Sequence, residues 1–585
     1  MDTNVPTTSS GRRMRLSAAE ALKLFQSDVF NSDNENENLD FSESDSDGEF
    51  LPAAAERSAV MESSSSDESD TENVPLLQYL GCKKRKVLQT NRKTNSGEGW
   101  ERVEDGVLSR TLNTFRFSPK TTPGVNPELV SESSTPLDCF LALFDDEVRT
   151  SLLDATNTYA TLKKTQNNPA RKHSVFASWN NLGIYELYKF SAVQMAMGIC
   201  KRPSIRDYFS TRNVFSTSFY SQTFSRNRFL SIFQTMLHVG EPDADGKLKI
   251  EPFINKLLEK FQLAFTAYQD IAIDEMIVGF KGRWQYKQYK ATKPSKYHIK
   301  SFGLVDSKTG YVVNLLTYYG STTSYNPTNE NESSHSIQVF DTLLRPLGTG
   351  YHIFADRYYT TRVLVDHLLK QKQYYTGTVQ RGRVGFPQWN DKLQHMASEY
   401  FSNSARSMLA VSWKDKKAKK PVLLVSTNAS AGEVTNAKGK LKPSVIDTYN
   451  NKMNGCDIAD QRLGYYGLHT RKTKKWWKKL FQWIMEICCI NAYVLYKETR
   501  PGTTKIPLKD FKLKLIDELL IAAAESMPEP GTIVPTRRGR MSSTPVQRLQ
   551  PGMHLVGYVK QDRRCAVCST PAKPRRTNYI CEGCD

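Results

Sequence analysis

No run of eighteen or more apolar residues occurs in this 585-residue chain, and its N-terminus has no short apolar core of the kind that opens a secretory leader. Those absences argue against a membrane-spanning helix and against export, so the chain reads as intracellular, with no membrane partner. Positive charge is nearly missing from residues 28 to 72, where Arg57 stands alone against fifteen Asp and Glu. Because the whole chain carries +19, the rest of it carries +33. A folded part that basic favours a polyanion, held through neutralised phosphates and released counterions. Double-stranded DNA is the expected partner.

The acidic stretch is also poor in apolar residues, so residues 1–130 are expected to form a disordered acidic region. Within it, Ser17-Ala18-Ala19-Glu20 has the pattern of a capping box and marks a short helix. Lys83-Lys84-Arg85-Lys86 is a basic cluster of nuclear-import type, which points to the nucleus, although such clusters also arise by chance in a basic chain.

Of ten cysteines, six are scattered, and Cys488 and Cys489 sit in an apolar run where burial is the expected role. The other four are patterned: Cys565-x2-Cys568, twelve residues, then Cys581-x2-Cys584. That spacing suits one tetrahedral Zn2+ held by four thiolates, against the alternative of clustering without metal.

Along the chain, residues 131–268 show apolar residues at helical spacing. IAID, KYHIKSFGLVD and YVVNLLTYYG then read as three strands, the last two a hairpin; SIQVFDTLLRPL reads as a helix, YHIFAD as a strand, TTRVLVDHLLKQK as a helix and YYTGTV as a strand. That order predicts an α/β fold with a ribonuclease-H-like core, a mixed sheet flanked by helices. The core is expected over 269–380 and 443–465, interrupted by an insertion domain over 381–442, with helices again over 466–545 and a cysteine module over 562–585.

Asp274 follows Ile271-Ala272-Ile273, Asp356 follows Ile353-Phe354-Ala355, and Asp457 precedes Asp460 by three residues in a helical stretch. Two strand ends and a helix are expected to bring these carboxylates to one cleft, where they would repel one another unless a hard divalent cation joined them. Two such ions activate an attacking oxygen and stabilise a leaving one at a phosphodiester. The bland reading of each aspartate is a cap or a surface charge, and of Asp457 with Asp460 a solvated helical stripe.

These strings, IAIDEMIVGFKGR, KPSKYHIK, DRYYTT, KPSVIDTYNNKMNGCDIADQ, RKTKKWW and the paired CxxC turns, in this order, resemble the piggyBac transposase family from about Pro136 to the C-terminus. The resemblance implies a catalytic triad at Asp274, Asp356 and Asp457 binding two Mg2+, with Mn2+ able to substitute and Asp460 as an accessory ligand. It implies cut-and-paste transposition at TTAA targets by a homodimer whose helical DNA-binding and dimerisation domain is split between 131–268 and 466–545, and it makes Trp476 DNA-proximal. The alternative within the family is a domesticated, catalytically silent DNA-binding or chromatin protein. Departures are Arg357 where many relatives have Asn, Cys456 where Val is commoner, and a cysteine module shorter than usual. Arg471, Lys472, Lys474, Lys475, Trp476, Lys478 and Lys479 are expected to line the DNA, against the alternative of a solvated helix face.

Overall fold

The computed structural model describes residues 99–103, 110–167, 174–176, 178–329, 331–332, 334–390, 392–436, 439–502 and 506–527, and the backbone of strands Val556–Arg564 and Arg576–Cys581. The chain divides into two units at Ser64, and all of these residues belong to the second, Ser65–Asp585.

Ten strands form one mixed sheet. In chain order they are β1 (Trp100–Val103), β2 (Asp270–Gly279), β3 (Gln288–Tyr289), β4 (Tyr297–Asp306), β5 (Val312–Thr317), β6 (His352–Ala355), β7 (Tyr374–Thr378), β8 (Ser398–Asn403), β9 (Leu409–Trp413) and β10 (Val422–Ser426). Across the sheet they run β1-β8-β9-β10-β7-β6-β2-β4-β3, with β5 also on β4. β2, β6 and β7 are parallel, and the remaining pairs are antiparallel. β6 and β7 are buried along nearly their whole length, as expected of parallel strands covered on both faces.

The segment 381–442, expected as an insertion into the core, supplies β8, β9 and β10, which extend the core sheet because β10 pairs with β7. One sequence expectation changes here: not all of 1–130 is unstructured. β1 pairs with β8, Thr111 N donates to Ala429 O, and Ser118 and Thr349 exchange backbone hydrogen bonds. Trp100, Thr111, Phe115 and Phe117 supply the burial and side-chain contacts that order this stretch. The capping box at Ser17–Glu20 and the basic cluster at Lys83–Lys86 lie outside the described residues.

Helices α1 (Asp146–Gln166), α2 (Ile184–Ile199) and α3 (Glu251–Ala264) lie between β1 and β2, α4 (His335–Leu344) and α5 (Arg362–Lys370) lie between later strands, and α6 (Ser444–Lys452), α7 (Gly455–Tyr466), α8 (Trp476–Glu498) and α9 (Leu508–Glu525) follow the sheet. Nearly every residue of α8 from Trp477 to Leu495 is buried, as expected of a helix apolar on all sides. Its Asn491 amide donates to Val312 O and accepts from Val312 N, both at 2.9 Å, satisfying the outer edge of β5. α9 packs on α2, and the Glu518 carboxylate accepts from Leu137 N at 2.7 Å, so the two helical regions distant in sequence meet in space.

Candidate active site

Parallel pairing of β2 with β6 sets Asp270 opposite His352 and Ile273 opposite Ala355; the next residues on the two chains are Asp274 and Asp356. Neighbouring strands lie about 4.8 Å apart, so the register itself puts the two carboxylates side by side. Asp274 is mid-strand rather than at a strand end, because β4 keeps pairing with β2 as far as Gly279 while β6 stops at Ala355. Asp274 accepts from Glu275 N at 2.7 Å, and Asp356 from Tyr358 N at 2.9 Å in the turn that follows β6.

Helix α7 carries the other two carboxylates and is seated by small residues. A Cβ on Gly455 would stand 3.2 Å from Asp306 O and 3.5 Å from Ala272 Cβ, so glycine permits a close approach to the sheet. Buried Cys456 then points its thiol at Ala272 O, two residues before Asp274. On the other side Gly310, at φ +71°, makes the β4–β5 turn, and a Cβ there would lie 2.8 Å from Ile458 Cγ2. Arg462 donates to Thr309 O at 2.6 Å. Asp457 is thus held in the first turn of α7, where the helix dipole favours a carboxylate, exposed at the rim; Asp460 is half-buried one turn on.

Burial, and then the charge of Asp356, pushes Asp274 up to about 7. Burial, then Asp457 and Asp274, does the same to Asp460, also to about 7. Asp356 and Asp457 are raised chiefly by burial. No ion pair engages any of the four among the described residues. Nor do any three His, Cys, Asp or Glu there stand close enough together to share a metal ion. The donor set suits a hard divalent cation all the same: oxygen ligands only, drawn from three elements, each carboxyl raised in a way a cation would reverse.

Sequence reasoning missed the basic groups that face this cluster. Glu275 is held below its usual range despite burial, because buried Lys300 pairs with it at 2.7 Å and Lys290 and Lys293 add their charge. Lys293 is also the cation that lowers Asp274, Asp457 and Asp460. The signal was present: six Lys and Arg with no Asp or Glu between Lys281 and Lys296. Arg357 is exposed beside Asp356, and its carbonyl accepts from Arg383 at 3.1 Å.

The basic segment departs from expectation. Helix α8 begins at Trp476, so Arg471–Lys475 precede it as non-helical chain. Lys478 is buried and donates to Phe233 O and Gln234 O, and Lys479 is buried and donates to His469 O and Arg471 O. Both are structural in this fold, a correction to their expected phosphate contacts: an ammonium drawn into the interior satisfies backbone carbonyls there. Arg471 anchors to Arg202 O and Tyr208 Oη. Lys472 and Lys474 are exposed. Trp476 is half-buried with one face stacked on Trp284, centroids 5.0 Å apart. Cys565, Cys568 and Cys584 lie outside the described residues, and Cys581 closes the strand that pairs with Val556–Arg564.

A mixed sheet that sets two aspartates side by side under a helix bearing two more is the frame of a transposase. The chain belongs to the family described as Transposase IS4, which matches residues 135–493. Within it the chain is related to the piggyBac type. It is 25% identical over 484 residues to human PiggyBac transposable element-derived protein 3, covering 77% of this chain and 74% of that protein. It is 23% identical to human PiggyBac transposable element-derived protein 2 over 465 residues, 75% of this chain and 73% of that one. The fold matches the cryo-EM structure of a piggyBac transposase synaptic complex with hairpin DNA, with a TM-score of 0.60 at 24% identity over 71% of this chain and 86% of that one.

Proposed function

We propose that this chain is a metal-dependent DNA nuclease and strand transferase of cut-and-paste type, with a ribonuclease-H-like core formed by β2, β4, β5, β6 and β7. The observation that carries the reading is the β2–β6 register, which ends at Ile273 opposite Ala355 and so sets the following Asp274 and Asp356 beside each other near the Asp457–Asp460 helix, four carboxylates without ion-pair partners among the described residues. Asp274, Asp356 and Asp457, with Asp460 accessory, would hold two Mg2+ or Mn2+. Bound there, the ions supply Lewis acidity to the attacking and leaving oxygens of a phosphodiester. The chain's own residues set the geometry: Cys456 and Gly455 seat the helix, Lys300 keeps Glu275 engaged, and Lys290 and Lys293 offer charge to the phosphates. Exposed Lys472 and Lys474, with Lys475, extend that basic surface.

The reading includes TTAA targets, a homodimer acting in the nucleus, helical regions 131–268 and 466–545 as one DNA-binding and dimerisation domain, and one Zn2+ on Cys565, Cys568, Cys581 and Cys584. Zinc content near one equivalent, lost on Cys565→Ser, checks the last point. Replacing Asp274, Asp356 or Asp457 by Ala should abolish nicking and joining of hairpin or nicked DNA in Mg2+ while leaving binding in chelator intact. Cleavage at the wild-type rate by any one variant removes that residue from the mechanism. The second reading, a silent DNA-binding protein, is favoured by relatives described as transposable element-derived. Metal-supported cleavage by the wild-type chain excludes it.

A further inference from the structure

Between the strand that carries Asp274 and its neighbour runs a hairpin loop whose aromatic residues are not all accounted for by packing. Trp284 and Tyr286 cluster with Tyr319 and Trp476. Tyr289 and Tyr297 do not. They face each other across the β3–β4 pair, ring centroids 4.9 Å apart, and remain 47% and 39% exposed. A cross-strand tyrosine pair on a soluble surface ordinarily stabilises its hairpin and nothing more.

Its surroundings point elsewhere. The Lys287 ammonium sits 5.2 Å from the Tyr297 ring centroid, and Lys290 and Lys296, hydrogen-bonded to each other through their backbones, are both exposed beside the pair. The charges continue toward the cleft, with Lys290 acting on Asp356 and Glu275, and Lys293 on Asp274, Asp457 and Asp460. A cationic track with an open aromatic pair at its outer end is the arrangement that holds an unpaired nucleic-acid strand, phosphates on the lysines and a base on the rings. Tyr297 and Gly303, the partner of Asp274, are six residues apart on β4. At 3.3 Å per residue the pair lies about 20 Å from Asp274. In stacked geometry that is about six nucleotides.

We propose that Tyr289 and Tyr297 form a stacking platform for an unpaired base of the DNA strand held at the carboxylates, with Lys287, Lys290 and Lys293 tracking its backbone. The proposal rests on the reading of the carboxylate cleft as a DNA site. It makes the two tyrosines binding residues that keep the strand single and in line, rather than groups that touch the reacting atoms.

The test uses the full chain in chelator and forked duplexes with TTAA at the junction, carrying 2-aminopurine at one of positions three to eight along the single-stranded arm. Wild-type protein should quench one or two adjacent positions and leave the others bright. Tyr289→Ala with Tyr297→Ala should lose that quenching and bind the forked DNA about five-fold or more weakly, while binding fully paired duplex as before. Tyr289→Phe with Tyr297→Phe should retain both, since the ring and not the hydroxyl does the stacking, and this variant separates loss of the platform from loss of the hairpin. Tight binding with no tyrosine-dependent quenching at any position overturns the platform and leaves the cleft reading standing. Failure of the wild-type chain to bind any of these DNAs overturns both.

Discussion

Gly310 offers a direct check on how the site is held. Replacing it by Ala puts an L-residue at φ +71°, which costs roughly 1–2 kcal/mol, and sets a methyl 2.8 Å from Ile458 Cγ2 and 3.1 Å from the Arg462 guanidinium. Overpacking of that kind adds about 1–3 kcal/mol if the neighbours cannot yield. The neighbours here belong to α7, with Ile458 between Asp457 and Asp460, so relief of the clash moves the helix that carries two of the four carboxylates. Gly310→Ala should therefore lower unfolding free energy by about 2–5 kcal/mol in urea titrations. It should also reduce single-turnover DNA nicking more than the folded fraction explains, since a shift near 1 Å at reacting groups costs on the order of 100-fold. Ile458→Ala in the same chain removes Cγ2 and should restore part of the nicking rate even though it adds a cavity. The reasoning is refuted if Gly310→Ala unfolds within about 0.5 kcal/mol of wild type, or if nicking falls only in proportion to folded protein and Ile458→Ala recovers none of it.

Other outcomes follow from the same geometry. In chelator, Asp274 and Asp460 titrate near 7 when folded and near 3.8 when unfolded, so the native state binds more protons between those values and stability is fully present below about 4 and lost as pH rises toward 7. Melting temperatures should show that fall in wild type and a flatter profile in Asp274→Asn with Asp460→Asn; identical profiles would contradict the assignment. Lys512 and Glu486 form a fully buried ion pair between α9 and α8, and Lys512→Met should cost about 3–5 kcal/mol by leaving a buried carboxylate unpaired. Adding Glu486→Met should recover much of that loss, which thermal unfolding would read. Lys472→Ala with Lys474→Ala should flatten the slope of log K against log salt by about 0.9 for each phosphate no longer neutralised. Lys478→Met should lower stability and leave that slope unchanged, and a flattened slope would return Lys478 to the DNA surface.

Much of the catalytic frame was legible because its signals are local. Apolar runs ending in Asp, a hairpin and alternating strand and helix patterns gave the core order, and the sheet follows it. Pairing was less legible. That the inserted segment 381–442 extends the sheet depends on Val425 meeting Gly377 across β10 and β7, a contact between residues far apart in sequence that no local pattern encodes. The same holds for β1: Trp100 and Val103 follow a long acidic stretch, and only their partners Asn403 and Tyr400 reveal a strand.

The basic segment shows the limit most clearly, because Lys is amphipathic and composition cannot tell which way it points. RKTKKWWKKLFQW holds six bases beside two tryptophans and reads as one surface. In the fold the helix begins at Trp476 and turns its first buried face at once, so Trp477, Lys478 and Lys479 face the core while Lys472 and Lys474 remain outside. Lys478 and Lys479 are tolerated there because each ammonium finds two backbone carbonyls, at the ends of short helical turns and in a loop, that helix hydrogen bonding leaves unsatisfied. Burial still favours the neutral form and draws Lys479 down to about 8. The charge on this segment is thus divided by burial: Lys478 and Lys479 tie the helical domain to the chain entering α8, while Lys472 and Lys474 stay at the surface. Trp476 sits at the division, its ring stacked on Trp284 of the lysine-rich loop, so that the start of α8 packs directly on the loop that follows the Asp274 strand.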